Sequence, residues 1–146
     1  MRAKEFSGNA LVPELGVTDW AASRWFYVEV LGFSVVYERP EEGFSYLAFG
    51  ETQLMIDQIG IGRDLTDATR PLTPPLGRGM NLQIRTDGLE PILAALQKSS
   101  IPLYLPVEEK WYRRDDHQIG QRQCVIADPD GYLLRFFEDI GRSHDA

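Results

Sequence analysis

A chain of 146 residues, 43% hydrophobic and 25% charged, has enough apolar material to bury a core, which excludes the disordered and fibrous classes. Its 22 acidic against 15 basic side chains give a formal charge of -7; nucleic acid is disfavoured as a partner, since phosphate contacts need clustered Lys and Arg. No apolar run is long enough for a membrane span, Met1-Arg2-Ala3-Lys4-Glu5 holds no apolar signal core, and the lone Cys124 excludes an internal disulfide framework, which together point to a reducing, cytoplasmic setting.

Residues 1–9 are polar and read as a loose arm. Ala10 to Val17 is apolar with one proline, Pro13, as in a strand whose amide there faces no partner. Thr18 or Asp19 offers an N-cap for a helix from about Trp20 to Leu31, with Phe26, Tyr27, Val30 and Leu31 on one side and Gly32 as the stop. Phe33 to Glu38 reads as a strand, Pro40 to Gly43 as a turn, and Phe44 to Phe49 and Gln53 to Ile59 as two further strands around Gly50-Glu51. Residues 60–78 are rich in Gly and Pro and read as a connector with solvated charges.

The pattern then restarts. Met80 to Thr86 alternates as a strand, and Asp87 is placed to cap a helix from about Leu89 to Lys98, with Pro91 tolerated in its first turn. Ile101 to Pro106 reads as the next strand, followed by Glu108 to Arg114, a hairpin tip at Asp115-Asp116-His117 and a last hairpin through Gln123 to Glu138. In that hairpin Asp128-Pro129-Asp130-Gly131 is a turn: Pro129 pre-sets φ, the aspartates bond back to nearby amides, and Gly131 accepts positive φ. The chain therefore reads as a single α+β domain, 1–146, with one βαβββ module at 10–59, a connector at 60–78 and a second βαβββ module at 79–140. Two copies of one unit are an internal repeat.

The paired modules, Val30-Leu31-Gly32-Phe33 after the first helix, an Asp placed to cap each helix, and Asp128-Pro129-Asp130-Gly131 near the end resemble the vicinal oxygen chelate superfamily. That group includes glyoxalase I, ring-cleaving dioxygenases, fosfomycin-resistance enzymes and the bleomycin-resistance proteins. The resemblance covers residues 10–140 and implies that each module curls its mixed sheet into half a cup with the ligand inside. Side chains alternate between faces along a strand. On that basis Pro13, Leu15, Val17, Leu82, Ile84, Cys124, Ile126, Leu134 and Phe136 take the helix-facing set. Val12, Glu14, Gly16, Met55, Asp57, Asn81, Gln83, Arg85, Gln123, Val125 and Arg135 are left toward the cup.

Metal-dependent members of the superfamily place His, Gln or Glu at four cup positions, which the resemblance assigns here to Val12, Met55, Asn81 and Arg135. Valine has no donor, methionine suits only soft metals, and a guanidinium has no lone pair and repels a dication. His144 lies in the tail, His117 reads as a solvated turn histidine, and Cys124 as an inert core thiol. No nucleophile elbow or Gly-rich phosphate loop is present. The expectation is a chain without catalytic residues, metal or other cofactor. The rival reading is a metal-dependent lyase or dioxygenase of the same superfamily with an atypical site.

The pattern is most similar to the bleomycin-resistance branch, whose members lack the metal ligands and dimerise by exchanging an N-terminal strand; Pro13 matches a proline found there. This implies a homodimer with a swapped N-terminal strand, holding a small molecule in a groove at the dimer interface. A cationic aromatic antibiotic of the bleomycin type, or a metabolite, suits an acidic protein with aromatic walls. Tyr46, Phe49, Trp111 and Tyr112 are candidate walls, with Phe44, Tyr46 and Phe49 equally placed to be core or dimer packing. Trp111 and Tyr112 are adjacent on a strand, so they face opposite sides. Glu14, Asp57, Asp115 and Asp116 are candidate anions, and Asn81, Gln83, Arg113, Gln123 and Arg135 complete the polar lining. Arginine is costly to bury unpaired, so Arg135 is expected to meet Glu14, Asp57 or an anionic ligand group. Beside Gln83, Arg85 and Gln123 it can instead recognise the carboxylate or carbonyl of a native metabolite.

Overall fold

The alternation of apolar and polar residues becomes eight strands and two α-helices among residues 6–62, 65 and 69–144, the residues described by the computed structural model. The first five residues of the expected arm, and residues 63, 64 and 66–68 of the connector with their charges, lie outside the described residues. The chain divides into two units, Met1–Leu72 and Thr73–Ala146.

The first unit holds β1 (Glu14–Val17), α1 (Trp20–Arg24) running into a π-helical turn (Trp25–Val30), β2 (Ser34–Arg39), β3 (Phe44–Phe49) and β4 (Thr52–Gln58). Its sheet order is β1-β4-β3-β2, with β1 parallel to β4 and the other pairs antiparallel. Asp19 caps α1 as its chemistry dictates, its Oδ1 accepting from Ala22 N at 3.2 Å. The helix then widens, with Leu31 N donating to Phe26 O at 3.0 Å, and it stops at Gly32, whose φ is +87°. Gln58 holds the start of α1 on the sheet: its Oε1 accepts from Trp20 N at 2.7 Å and its Nε2 donates to Thr18 O at 2.8 Å. Further along, Arg24 clamps Glu38 through Nε and Nη2 at 2.8 and 3.2 Å, and Ser45 Oγ donates to the same carboxylate at 3.0 Å. The strand expected from Ala10 begins only at Glu14, although Met55 N still donates to Pro13 O at 2.8 Å.

The second unit repeats the plan with β5 (Asn81–Arg85), α2 (Glu90–Lys98), β6 (Leu105–Arg114), β7 (His117–Ala127) and β8 (Leu133–Ser143). Its order, β5-β8-β7-β6 with β5 parallel to β8, is that of the first sheet. The repeat legible in the sequence is thus a repeat of topology. In each unit the helix-facing parity is the core: Leu15, Val17, Leu47, Leu54 and Ile56 in one, Ile84, Cys124, Ile126, Leu134 and Phe136 in the other, all buried. Burial also pushes the Cys124 thiol up, which fits an inert core cysteine. No helix among the described residues is long and apolar enough to cross a membrane.

Two further local expectations fail. Asp87 does not cap α2, which has no side-chain cap of its own; Leu89 N instead donates to Glu138 Oε2, on β8, at 2.9 Å. The two strands expected between Ile101 and Arg114 are one long strand that begins at Leu105 and pairs with β7 along its length, with one register shift between Leu105 and Glu108. The end of the expected connector is anchored: Leu76 N donates to Asp130 O at 2.8 Å. The Asp-Pro-Asp-Gly turn itself is as expected, with Asp128 Oδ1 accepting from both Asp130 N and Tyr132 N at 2.9 Å. Gly131 sits at φ +87°, and a Cβ there would collide with Pro75.

Gly131→Ala should therefore cost about 1–3 kcal/mol, read as a lower urea midpoint at unchanged slope; an unchanged midpoint would mean that the turn relaxes at no cost. Glu138 supplies a pH test. The Leu89 amide first, and then the Arg122 guanidinium, hold its carboxyl below the ordinary glutamate range. A group lowered on folding stabilises above its unfolded pKa and loses that contribution as pH falls through the folded value. Acid titration of stability should steepen just below the ordinary glutamate range, and Glu138→Gln should flatten that segment of the curve.

Candidate functional site

One helix covers one face of each sheet, and the other face collects the side chains of opposite parity. In the second unit the register pairs Gln83 with Arg135, Val125 with Arg135, and Gln121 with Asp139. Asn81, Gln83, Gln121, Gln123 and Arg135 therefore share the face turned away from α2. Arg135 Nη2 donates to Gln83 Oε1 at 2.8 Å, Nη1 to Gln123 Oε1 at 3.1 Å and Gln121 Oε1 at 3.3 Å, and Nε to Asn81 Oδ1 at 3.2 Å. The guanidinium is thus cradled by four neutral amides of its own unit, in place of the carboxylate or ligand anion expected for it. Gln123 carries the network outward, its Nε2 donating to Tyr112 Oη at 2.8 Å and Glu108 Oε1 at 3.0 Å. A cavity of about 320 Å³ opens beside the cradle, with Gln83 and Gln121 in its wall.

Of the two adjacent aromatics, Tyr112 stands on this face. Trp111 lies on the opposite one, across Gly120, where an added Cβ would come within 2.7 Å of the indole. Arg113 shares the parity of Trp111 and is likewise not part of the cradle. Asp115 occupies the hairpin tip with φ +57°, and Asp116 is solvated and accepts from His117 Nδ1 at 3.0 Å. His117 corrects the reading of a solvated turn residue: it is the first residue of β7, paired with Arg114, and is 9% exposed. Its Nε2 has no hydrogen-bond partner among the described residues.

On the corresponding face of the first unit, the register brings Glu14, Met55, Tyr46 and Tyr37 into one row and Gly16, Asp57, Phe44 and Arg39 into the next. Tyr37 and Tyr46 stack at 5.2 Å between centroids and 21° between planes, and the Arg39 guanidinium lies 4.2 Å over Phe44. Phe44 and Tyr46 thus belong to the open-parity face. Phe49 does not: it alternates with Leu47 on the helix side, its ring 5.1 Å from Phe33.

Residues 6–9 of the arm expected to be loose lie on the aromatic platform. Phe6 meets Tyr46 edge-on at 4.9 Å. Gln53 Oε1 accepts from Asn9 N at 2.7 Å and Tyr46 Oη at 2.6 Å, while Gln53 Nε2 donates to Ser7 O at 3.3 Å. Tyr46 is only 5% exposed, and burial pushes its phenol up. Tyr37, Gln53, Gln121 and Arg114 were missed by sequence reasoning, although each lies two residues along its strand, or directly across it, from a residue named there; Arg39, opposite Phe44 and two residues from Tyr37, was missed as well.

The residues at the four presumptive ligand positions do not fit a divalent metal. Val12 has no donor and Met55 only a thioether; Asn81 Oδ1 already accepts from Arg135 Nε, and Arg135 is a cation. Among the described residues no three of His, Cys, Asp and Glu come together in a metal-holding group.

No protein-family model and no curated protein matches the chain. Solved structures do. A glyoxalase/bleomycin resistance protein/dioxygenase superfamily member from Vibrio splendidus 12B01 is 36% identical, over 88% of this chain and 97% of its own, with a TM-score of 0.39; the likeness in sequence, not that superposition, carries the relationship. TioX from Micromonospora sp. ML1 is 20% identical over 91% of this chain and 100% of its own, with a TM-score of 0.65. TnmS3, an antibiotic binding protein from Streptomyces sp. CB03234, is 23% identical over 92% and 99%, with a TM-score of 0.60. These last two are likenesses of fold.

Gln53→Ala should free the arm, read as faster hydrogen exchange at the Asn9 amide with the exchange of β3 and β4 unchanged. An Asn9 amide as protected as before would mean that something other than Gln53 holds residues 6–9.

Proposed function

We propose, from the premise that this chain belongs to the glyoxalase/bleomycin resistance protein/dioxygenase superfamily, that it is a small-molecule binding protein which sequesters its ligand and makes or breaks no bond. The observation that carries this reading is Arg135. At a position where metal-dependent members need a ligand, this chain has a guanidinium whose donors are taken up by Asn81, Gln83, Gln121 and Gln123. A cation so held repels a second cation and offers no lone pair to one.

The ligand of this reading is a planar aromatic molecule with cationic character, a bleomycin-type antibiotic or a metabolite of like chemistry. Its support is the stacked pair Tyr37 and Tyr46 with Phe44 beside it, on a face that also carries Glu14 and Asp57. That a protein of this fold, TnmS3, is described as antibiotic binding supports it by analogy alone. The reading further takes the working form as a cytoplasmic homodimer with its ligand in the groove between protomers, the N-terminal strand exchanged. Sedimentation as a monomer at working concentration would remove that part.

Titration of metal-free and copper-loaded bleomycin, followed by calorimetry and tryptophan fluorescence, should saturate near one drug per chain. Tyr37→Ala, at a half-exposed position on the platform, should weaken it about two- to tenfold through lost stacking. Stoichiometric zinc, nickel, iron or manganese in the purified protein would overturn the reading in favour of a metal-dependent lyase or dioxygenase.

A further inference from the structure

The cavity of the second unit has a chemistry that the sequestration of a cation does not use. It is crossed by all four strands: Gln83 and Arg85 come from β5, Phe137 and Asp139 from β8, Ile119 and Gln121 from β7, and Arg114 from β6. In the order β5-β8-β7-β6, Arg85 and Arg114 stand on the two outer strands, and Phe137 and Ile119 lie on the inner strands between them. The floor is apolar and half aromatic, and a guanidinium stands at either side.

Neither Arg85 nor Arg114 has a hydrogen-bond or ion-pair partner among the described residues, whereas Arg24, Arg39 and Arg122 are all tied to glutamates. Asp139 is the one carboxylate in the lining, and its Oδ1 accepts from Gly141 N at 2.9 Å. The Arg135 guanidinium, bonded to Gln83 and Gln121 of the cavity wall, adds a third positive charge whose amide partners do not cancel it. A chain with a formal charge of -7 thus concentrates arginine on one face of one sheet. Arginine recognises planar carboxylates through paired N–H donors, and an apolar floor suits the body that carries the carboxylate. The volume, about 320 Å³, lies at the small end of ligand pockets.

We propose that this cavity is a binding site for a small aromatic carboxylate, its ring over Phe137 and Ile119 and its anionic group held by Arg85 or Arg114, with Gln83 and Gln121 supplying hydrogen bonds to polar ring substituents. The proposal goes beyond the sequestration reading and rests on the second unit alone.

The test is calorimetry of the full chain with three near-isosteric probes: benzoate, benzamide and benzamidinium. Benzoate should bind saturably, weaken with added salt, and exceed benzamide by about tenfold or more, since hydrogen bonds to charged groups are the stronger ones. Benzamidinium should not bind. Arg85→Gln and Arg114→Gln, both at exposed positions where folding is little affected, should together abolish the preference for benzoate over benzamide while leaving the thermal midpoint unchanged. Equal binding of all three probes, a benzoate affinity untouched by both substitutions, or no benzoate binding at all would overturn the proposal. None of these outcomes would touch the sequestration reading, which the bleomycin titration and metal analysis decide.

Discussion

Each four-stranded sheet has a single helix, which covers only one of its two faces. That constraint sorts the chain. Leu15, Leu47, Leu54 and Ile56 in one unit, and Ile84, Cys124, Ile126 and Leu134 in the other, fall on the covered parity and are buried. The alternate residues are released from contact with the helix, and the side chains of the candidate site lie among them. A slip of one residue in any strand would exchange the two sets, so the turns and helix anchors that pin the register, Gly32, Gln58, Asp128 and Glu138 among them, are also what places the site.

The two uncovered faces solve the same problem in different ways. In the first unit the face is aromatic, and residues 6–9 lie on it, held by Gln53. In the second it is polar and built around a guanidinium. A guanidinium on such a face can be held by a carboxylate or by neutral acceptors. Arg135 is hydrogen-bonded to amides, which satisfies its donors and leaves its charge in place. A carboxylate partner would have ended its influence on a ligand. The nearest acid in the network, Glu108, reaches it only through Gln123.

The repeat is of topology more than of detail. Both sheets have the same strand order, and in both a glutamate ties helix to sheet, but by different routes. Glu38 does so through the side chain of Arg24. Glu138 takes the amide of Leu89, the residue that precedes α2, and the Arg122 guanidinium besides, and Arg122 also reaches Glu90 on α2. In the first unit the helix cap is local, Asp19; in the second it comes from a strand 49 residues away.

That contrast marks the boundary between what was legible in the chain and what was not. Periodicity of two along a strand is a property of neighbouring residues, so the βαβββ repeat, the core parity, the placing of Arg135, Gln83 and Asn81 on the open face, the Asp19 cap and the Asp128 turn could all be read from the sequence alone. Partners could not. The replacement of Asp87 by Glu138 at the start of α2, the merging of two expected strands into β6, the choice of Tyr112 over Trp111 for the cradle, the burial of His117 and the docking of Phe6 each depend on which strands lie side by side. Local composition determined which face a residue takes. Only the folded sheet order, which brings β5 beside β8 and β7 beside β6, decided what it would meet there, because a hydrogen bond needs two groups within 3.5 Å and sequence distance says nothing about that separation.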